Sequence, residues 1–198
     1  MTTPSTFDQP WKRVLERCFR DFMELALPQA ARVIDWDRGY ETLDKELADL
    51  SKDGDSGDRV ADLLVEVHPR HGDEAWVLVH LEVQMQPDRT LPQRMHTYSY
   101  RAYDRYAKRV ASVAILGDQR RSHRPDSFAY ELFGTELRLR FPVVKVLDFE
   151  ARRAELEASR NPFSRVILTH LAALRTTRRP DARLTAKLAL LRDLVDRG

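Results

Sequence analysis

The chain is predicted to fold as a mixed α/β domain, an α+β arrangement in which one mixed β-sheet is flanked by helices. Three observations predict it. Two Val/Leu-rich runs, 59–68 (RVADLLVEVH) and 74–84 (EAWVLVHLEVQ), read as strands joined by a short Pro- and Gly-bearing turn. A third run, VASVAIL at 110–116, is apolar enough to be covered on both faces. Around these lie segments whose apolar residues recur every three or four positions, the period of an amphipathic helix.

The elements follow in order. Trp11, Val14, Leu15, Cys18, Phe22 and Leu25 make one apolar stripe, predicting a helix over 11–27 that Pro28 closes. A second, short helix is expected over about 39–50, followed by a polar, glycine-bearing loop at 51–58. The strand pair comes next, then an aromatic-rich helix over 91–107 fenced off by Pro87 and Pro92. After the 110–116 strand, further strands are expected at 126–131 and 136–140 around Gly134, and at 143–149. Helices over 151–158, 162–174 and 181–195 complete the chain, the last with an apolar stripe of Leu184, Leu188, Leu191 and Val195. A length of 198 residues suits one well-cored domain, so 1–198 reads as a single unit with a basic helical segment from about 159.

Composition narrows the function classes. An apolar content of 42% with 9% aromatic residues excludes wholesale disorder. The formal net charge is only +2 although 32% of residues are charged, so the chain carries no uniformly basic coat. Its distribution is uneven: 35–58 holds nine acids against three bases, net −6, and 159–198 holds nine bases against three acids, net +6. A polyanion near the C-terminal segment is one reading, and solvated helix faces are the other, which on charge alone is the stronger. Cys18 is the single cysteine, which rules out an internal disulfide or a cysteine-built zinc cluster. The N-terminal MTTPSTFDQPWKR has no secretory apolar run, and no stretch reaches the ~18–20 apolar residues that span a bilayer. A cytoplasmic protein with no membrane partner is expected.

The chemistry sits on the strand pair. Side chains alternate along a strand, so Val60, Asp62, Leu64 and Glu66 share one face of the first, and Trp76, Leu78, His80, Glu82 and Gln84 share one face of the second. A hairpin turning about residues 71–73 pairs positions whose numbers sum to about 144, which sets Asp62 opposite Glu82 with Gln84 beside them. Facing carboxylates repel, and an apolar sheet makes their ionisation costly. A hard divalent cation relieves both penalties, activates water and stabilises charge on a phosphoryl group. Taken singly, each acid is better explained by the solvent face of a half-buried sheet; two facing acids with an amide beside them are less easily explained that way.

Asp62 followed after a turn by Glu82-Val83-Gln84 resembles the D…(D/E)xK core of PD-(D/E)XK nucleases, with Gln in the lysine position. The stretches DWDRGYETLDKEL (35–47), ADLLVEV (61–67), AWVLVHLEVQ (75–84), RMHTYSYRAYDRY (94–106), VASVAILGD (110–118), RPDSFAYEL (124–132), LRFPVVKVLD (139–148) and LEASRNPF (156–163) resemble one branch, the Rpn family of recombination-promoting nucleases, also called YhgA-like transposases. The resemblance covers about 18–175. It implies a restriction-endonuclease-like fold and Mg²⁺-dependent DNA cleavage, with Mn²⁺ as a substitute, linked to recombination or transposition and leaving 5′-phosphate and 3′-hydroxyl ends. By the same resemblance Asp62 and Glu82 ligate the metal, with the backbone carbonyl of Val83 as a third ligand, and Gln84 positions the attacking water. Glu46, in the preceding helix, is the candidate for a further ligand, with Asp44 and Glu41 as rivals. Gln84 departs from the superfamily's lysine: a lysine brings positive charge near the scissile phosphate, and an amide brings only dipoles.

Further candidates lie outside the core. Arg94, Tyr98, Arg101 and Arg105 recur at helical spacing and could carry DNA phosphate contacts; the competing reading packs Met95, Tyr98, Ala102 and Tyr106 on the sheet and leaves the arginines solvated. Arg120, Arg121, His123 and Arg124 form a basic loop, read first as solvated. His80 shares the face of Glu82 and is read as a packing or hydrogen-bonding histidine. Trp36, Trp76 and Phe141 read as packing residues, and Cys18 as inert. The expected partner is DNA, with a homodimer left open. Two rivals stand beside the nuclease: a non-catalytic DNA-binding module on the same fold, and a protein-interaction scaffold.

Overall fold

The computed structural model of the chain describes residues 8–43, 63–72 and 75–175. Within them the elements run α1 (Asp8–Arg17), α2 (Phe19–Ala26), α3 (Pro28–Val33), β1 (Tyr40–Thr42), β2 (Leu63–Val67), β3 (Val77–Gln84), α4 (Leu91–Tyr106), β4 (Val110–Leu116), β5 (Ser127–Leu132), β6 (Thr135–Arg140), β7 (Val143–Lys145), α5 (Arg153–Ala158) and α6 (Phe163–Arg175). A five-stranded mixed sheet in the order β1-β2-β3-β4-β7 forms the centre, and helices cover both faces. The strands β1, β2 and β3 are antiparallel neighbours, whereas β3, β4 and β7 run parallel. The mixed α/β class and the helix-flanked mixed sheet are as the sequence predicts.

Alternation along the strands divides the core in two. Leu63, Val65 and Val67 of β2, Val79, Leu81 and Val83 of β3, Val113 and Ile115 of β4, and Val144 of β7 join Trp11, Val14, Leu15, Phe19, Phe22, Phe163 and Ile167 in the larger cluster. Each such side chain, fully buried, contributes on the order of 1.5–3 kcal/mol. The opposite face carries Leu64, Leu78, Ala114 and Leu116, covered by Leu91, Met95, Tyr98 and Ala102 of α4. Helix α4 can lie there because its buried residues recur at intervals of three and four.

Several expected elements are corrected. The helix expected over 11–27 is two helices: Cys18 leaves helical geometry at φ −119°, ψ 33°, and the change of direction lets both Trp11–Leu15 and Phe19–Met23 reach the sheet. Pro28 closes α2 as expected and also opens α3, where its missing N–H costs nothing in the first turn. Part of the helix expected over 39–50 is a strand, because Tyr40–Thr42 finds the free edge of β2 and tertiary pairing overrides local propensity. The strand expected over 143–149 ends at Lys145 and continues as a 3-10 turn, Val146–Arg152. The two strands around Gly134 form a separate hairpin whose turn places both Phe133 (φ 50°) and Gly134 (φ 80°) in the left-handed region, as a two-residue turn of this hand requires. Asp62, Asp44, Glu46, the loop 51–58 and the helix expected over 181–195 lie outside the described residues.

Candidate active site

Three polar residues of β3, His80, Glu82 and Gln84, point toward α4 from an otherwise apolar strand. The parallel register sets them beside Ser112, Ala114 and Leu116 of β4. Glu82 is 3% exposed and His80 1%. A carboxylate so deeply buried needs a partner, and Arg94, on the second turn of α4, provides one. Its Nη2 donates to Glu82 Oε1 at 2.6 Å and to Gln84 Oε1 at 2.8 Å, and its Nη1 donates to Asp88 Oδ2 at 2.7 Å. Burial opposes the charge of Arg94, but the carboxylates of Glu82 and Asp88 outweigh it and raise its pKa above the ordinary arginine value.

Asp88 is fixed in turn by the approach to α4. Its Oδ1 accepts from the backbone N–H and the hydroxyl of Thr90, each at 2.8 Å, so one carboxylate ties down the residue preceding the helix and the guanidinium within it. On the other side of Glu82, Oε2 lies 3.5 Å from His80 Nε2, and neither atom has a hydrogen-bond partner among the described residues. His80 is held by Ser112 Oγ, 3.4 Å from its Nδ1, and by the Tyr98 ring, edge-on with centroids 5.7 Å apart.

The hairpin register matches the one expected. Leu63 pairs with Leu81, Leu64 with His80, Val65 with Val79 and Glu66 with Leu78, each pair summing to 144. Asp62, bonded to Leu63, lies outside the described residues, as does Glu46. Glu41 does not belong with Glu82: it is exposed on β1 and pairs with Glu66, itself opposite Leu78, four residues before Glu82 along β3.

The four proposed DNA contacts on α4 do not share one solvent-facing surface. Arg94 turns into the β3 polar cluster, and Tyr98 is buried against Leu64, Leu78 and Ala102. Arg101 is half-buried, and Arg105 is exposed with its guanidinium over the Tyr106 ring. A helix face that carries Met95, Tyr98 and Ala102 must meet the sheet, and Arg94 lies close enough to that stripe to be drawn under with it. In the basic loop, Arg124 is committed to Asp148 through two parallel bonds of 2.7 and 2.5 Å. Cys18 is half-buried, and burial, then Asp21, raises its thiol pKa, which keeps it in the unreactive form.

Sequence reasoning missed Asp88, Asp118 and Lys145. Asp88-Arg-Thr90 ahead of a Pro-bearing helix start is a capping signal that could have marked the first. Lys145 within VVKV is a charge inside an apolar strand; it is fully buried, with Nζ 2.5 Å from Asp118 Oδ2.

The residues present suit a hard divalent cation in kind. Glu82 offers a buried carboxylate with one oxygen lacking a hydrogen-bond partner among the described residues, a donor of the type such ions accept. Among the described residues no group of three His, Cys, Asp or Glu side chains converges. No helix among the described residues is long and apolar enough to cross a membrane. The chain matches no family model, no curated protein and no solved structure in the comparisons made.

Proposed function

We propose that this chain is a Mg²⁺-dependent DNA endonuclease with a restriction-endonuclease-like core, in which Asp62, Glu82 and Gln84 form the active site. The observation that carries the reading is the β2–β3 register. Leu63 faces Leu81, and the residues bonded to them are Asp62 and Glu82. The D…ExQ pattern acquires meaning only in that register, because a slip by one position sends every side chain to the other face.

Asp62, Glu82 and the Val83 carbonyl would hold the ion, and Arg94 holds the Glu82 carboxylate in place. Bound Mg²⁺ supplies Lewis acidity toward water and toward a phosphoryl oxygen. Gln84 has a defined orientation: Arg94 can only donate, so the amide oxygen faces it and the NH₂ group is left to donate elsewhere. From there it would position the nucleophile by hydrogen bonding, without accepting its proton. A cytoplasmic setting and a role in recombination or transposition accompany this reading.

The test is nicking of supercoiled plasmid with Mg²⁺ or Mn²⁺, wild type against Asp62→Ala and Glu82→Ala. Cleavage lost in both variants supports the site, and cleavage untouched by either removes it. One observation favours a second reading, a non-catalytic DNA-binding module: Glu82 Oε1 is already satisfied by Arg94 without a metal. Salt-sensitive DNA binding with no cleavage by the wild type would select it.

A further inference from the structure

Residue 84 is an amide where the nuclease reading calls for a cation, yet a cation is present. We propose that Arg94 supplies, from α4, the positive charge that a lysine at position 84 would otherwise carry, so that Gln84 and Arg94 act as one divided residue. The inference rests on the phosphodiester reading of this site and adds to it the group that meets the phosphate charge.

Three features carry it. First, the location is shared: one guanidinium nitrogen, Nη2, bonds the side-chain oxygens of both Glu82 and Gln84, so the charge stands at the point where the two residues of the ExQ motif converge. Second, the guanidinium has donors to spare. Of its five N–H groups three are engaged, on Glu82, Gln84 and Asp88; Nε is buried, with no hydrogen-bond partner among the described residues, so the second N–H of Nη1 is the one left to meet an incoming acceptor. An anionic oxygen is the natural acceptor for what is left. Third, the charge is held in place. Asp88 grips Nη1 while fixing the start of α4 through Thr90, so the side chain is preorganised before any substrate arrives.

The charge sum gives the consequence. Glu82 and Asp88 with Arg94 make −1, and without Arg94 they make −2, before Asp62 is counted. Every phosphate entering the site therefore meets one unit more positive charge because of Arg94. A lysine elsewhere on α4 would not do this, since it lacks the planar fork that bridges two acceptors and still presents a free edge.

The experiment moves the charge back to residue 84. Wild type, Arg94→Gln, Arg94→Lys and the double variant Arg94→Gln, Gln84→Lys are compared by circular dichroism melting, by plasmid nicking with Mn²⁺, and by fluorescence anisotropy with a short DNA duplex in Ca²⁺. The expectation is a loss of nicking by about 10²–10³-fold in Arg94→Gln, the scale for removing one preorganised electrostatic donor. Arg94→Lys should fall between that variant and wild type, and the double variant should regain at least about tenfold over Arg94→Gln in nicking and in duplex affinity. A folded Arg94→Gln that nicks and binds like wild type overturns the proposal, as does a folded double variant no better than the single one. A purely structural Arg94 predicts that second result, since a lysine introduced at position 84 cannot rebuild the clamp on Asp88. If Arg94→Gln fails to fold, a folded double variant, which returns a cation beside Glu82, carries the test by nicking within about 10²-fold of wild type or falling below that. A wild type that never nicks counts against the nuclease reading, and the affinity comparison then decides Arg94 by itself.

Discussion

Leu63 of β2 pairs with Leu81 of β3, and this rung sets the register of the chain on either side of a turn. In the sequence, Asp62 and Glu82 are each one peptide bond from it.

If both acids hold one ion, their effects must overlap. Asp62→Ala and Glu82→Ala are each expected to lower plasmid nicking by about 10²-fold or more, the scale of several kcal/mol of metal-derived stabilisation. The double variant is expected to fall within about threefold of the weaker single variant, because the second deletion removes a ligand from an ion already lost. Steady-state nicking rates check this, and multiplied losses would separate the two residues.

The buried pair Lys145–Asp118 predicts an asymmetric mutational response. Asp118 Oδ1 accepts the Arg120 N–H at 2.8 Å and Oδ2 accepts from Lys145 Nζ, so this ion pair ties the loop after β4 to β7. Lys145→Met should cost about 3–5 kcal/mol by leaving Asp118 buried without its cation. Adding Asp118→Asn should recover part of that loss, since a neutral amide is less costly to bury. Urea denaturation monitored by tryptophan fluorescence gives both numbers.

His170 predicts a pH dependence. Its Nδ1 accepts from Trp11 Nε1–H at 3.3 Å and its Nε2–H donates to the Gly117 carbonyl at 2.8 Å, an arrangement that requires the neutral ring. Burial lowers its pKa below the ordinary value, and the bond to Gly117 offsets only part of the effect. Below about pH 6.5 the unfolded chain takes up the proton first. The His170 contribution is therefore complete above that pH and declines as pH falls toward the lower folded-state pKa. The slope from this one group can reach about 1.4 kcal/mol per pH unit. Denaturation midpoints from pH 7.5 to pH 5 should fall less steeply in His170→Gln than in wild type.

Gly117 is a position of close approach. A Cβ there would lie 2.3 Å from Met85 Sδ and 2.9 Å from His170 Nε2, while the Gly117 N–H holds the Gln84 carbonyl at 2.9 Å. Gly117→Ala should destabilise by about 1–3 kcal/mol, the usual cost of overpacking. Met85→Ala should restore only part of it, because the flexible Met side chain can be cut away and the His170 ring is held on both nitrogens. Thermal melts of the single and double variants test the order.

Much of the architecture was legible in the chain itself, for identifiable reasons. The strands 77–84 and 110–116 announce themselves by β-branched and apolar runs, and α4 by apolar residues at helical spacing between prolines. A symmetric turn then determines the 144 register, because side chains in a sheet can alternate only one way once one face is buried. Glu82 and Gln84 on a common face follow from that period alone.

Tertiary structure decided what local pattern could not. Tyr40–Thr42 is a strand because β2 has an edge to fill, and Cys18 bends a helix because two apolar stretches must reach one sheet. The identity of Glu82's partner was decided in the same way. Residues 82 and 94 belong to different elements, and nothing in their spacing says that α4 crosses the sheet with Arg94 over the end of β3. Sequence periodicity determines which way a side chain points relative to its own element; only the packing of one element on another determines what it meets there, and for a buried charge that meeting settles its chemistry.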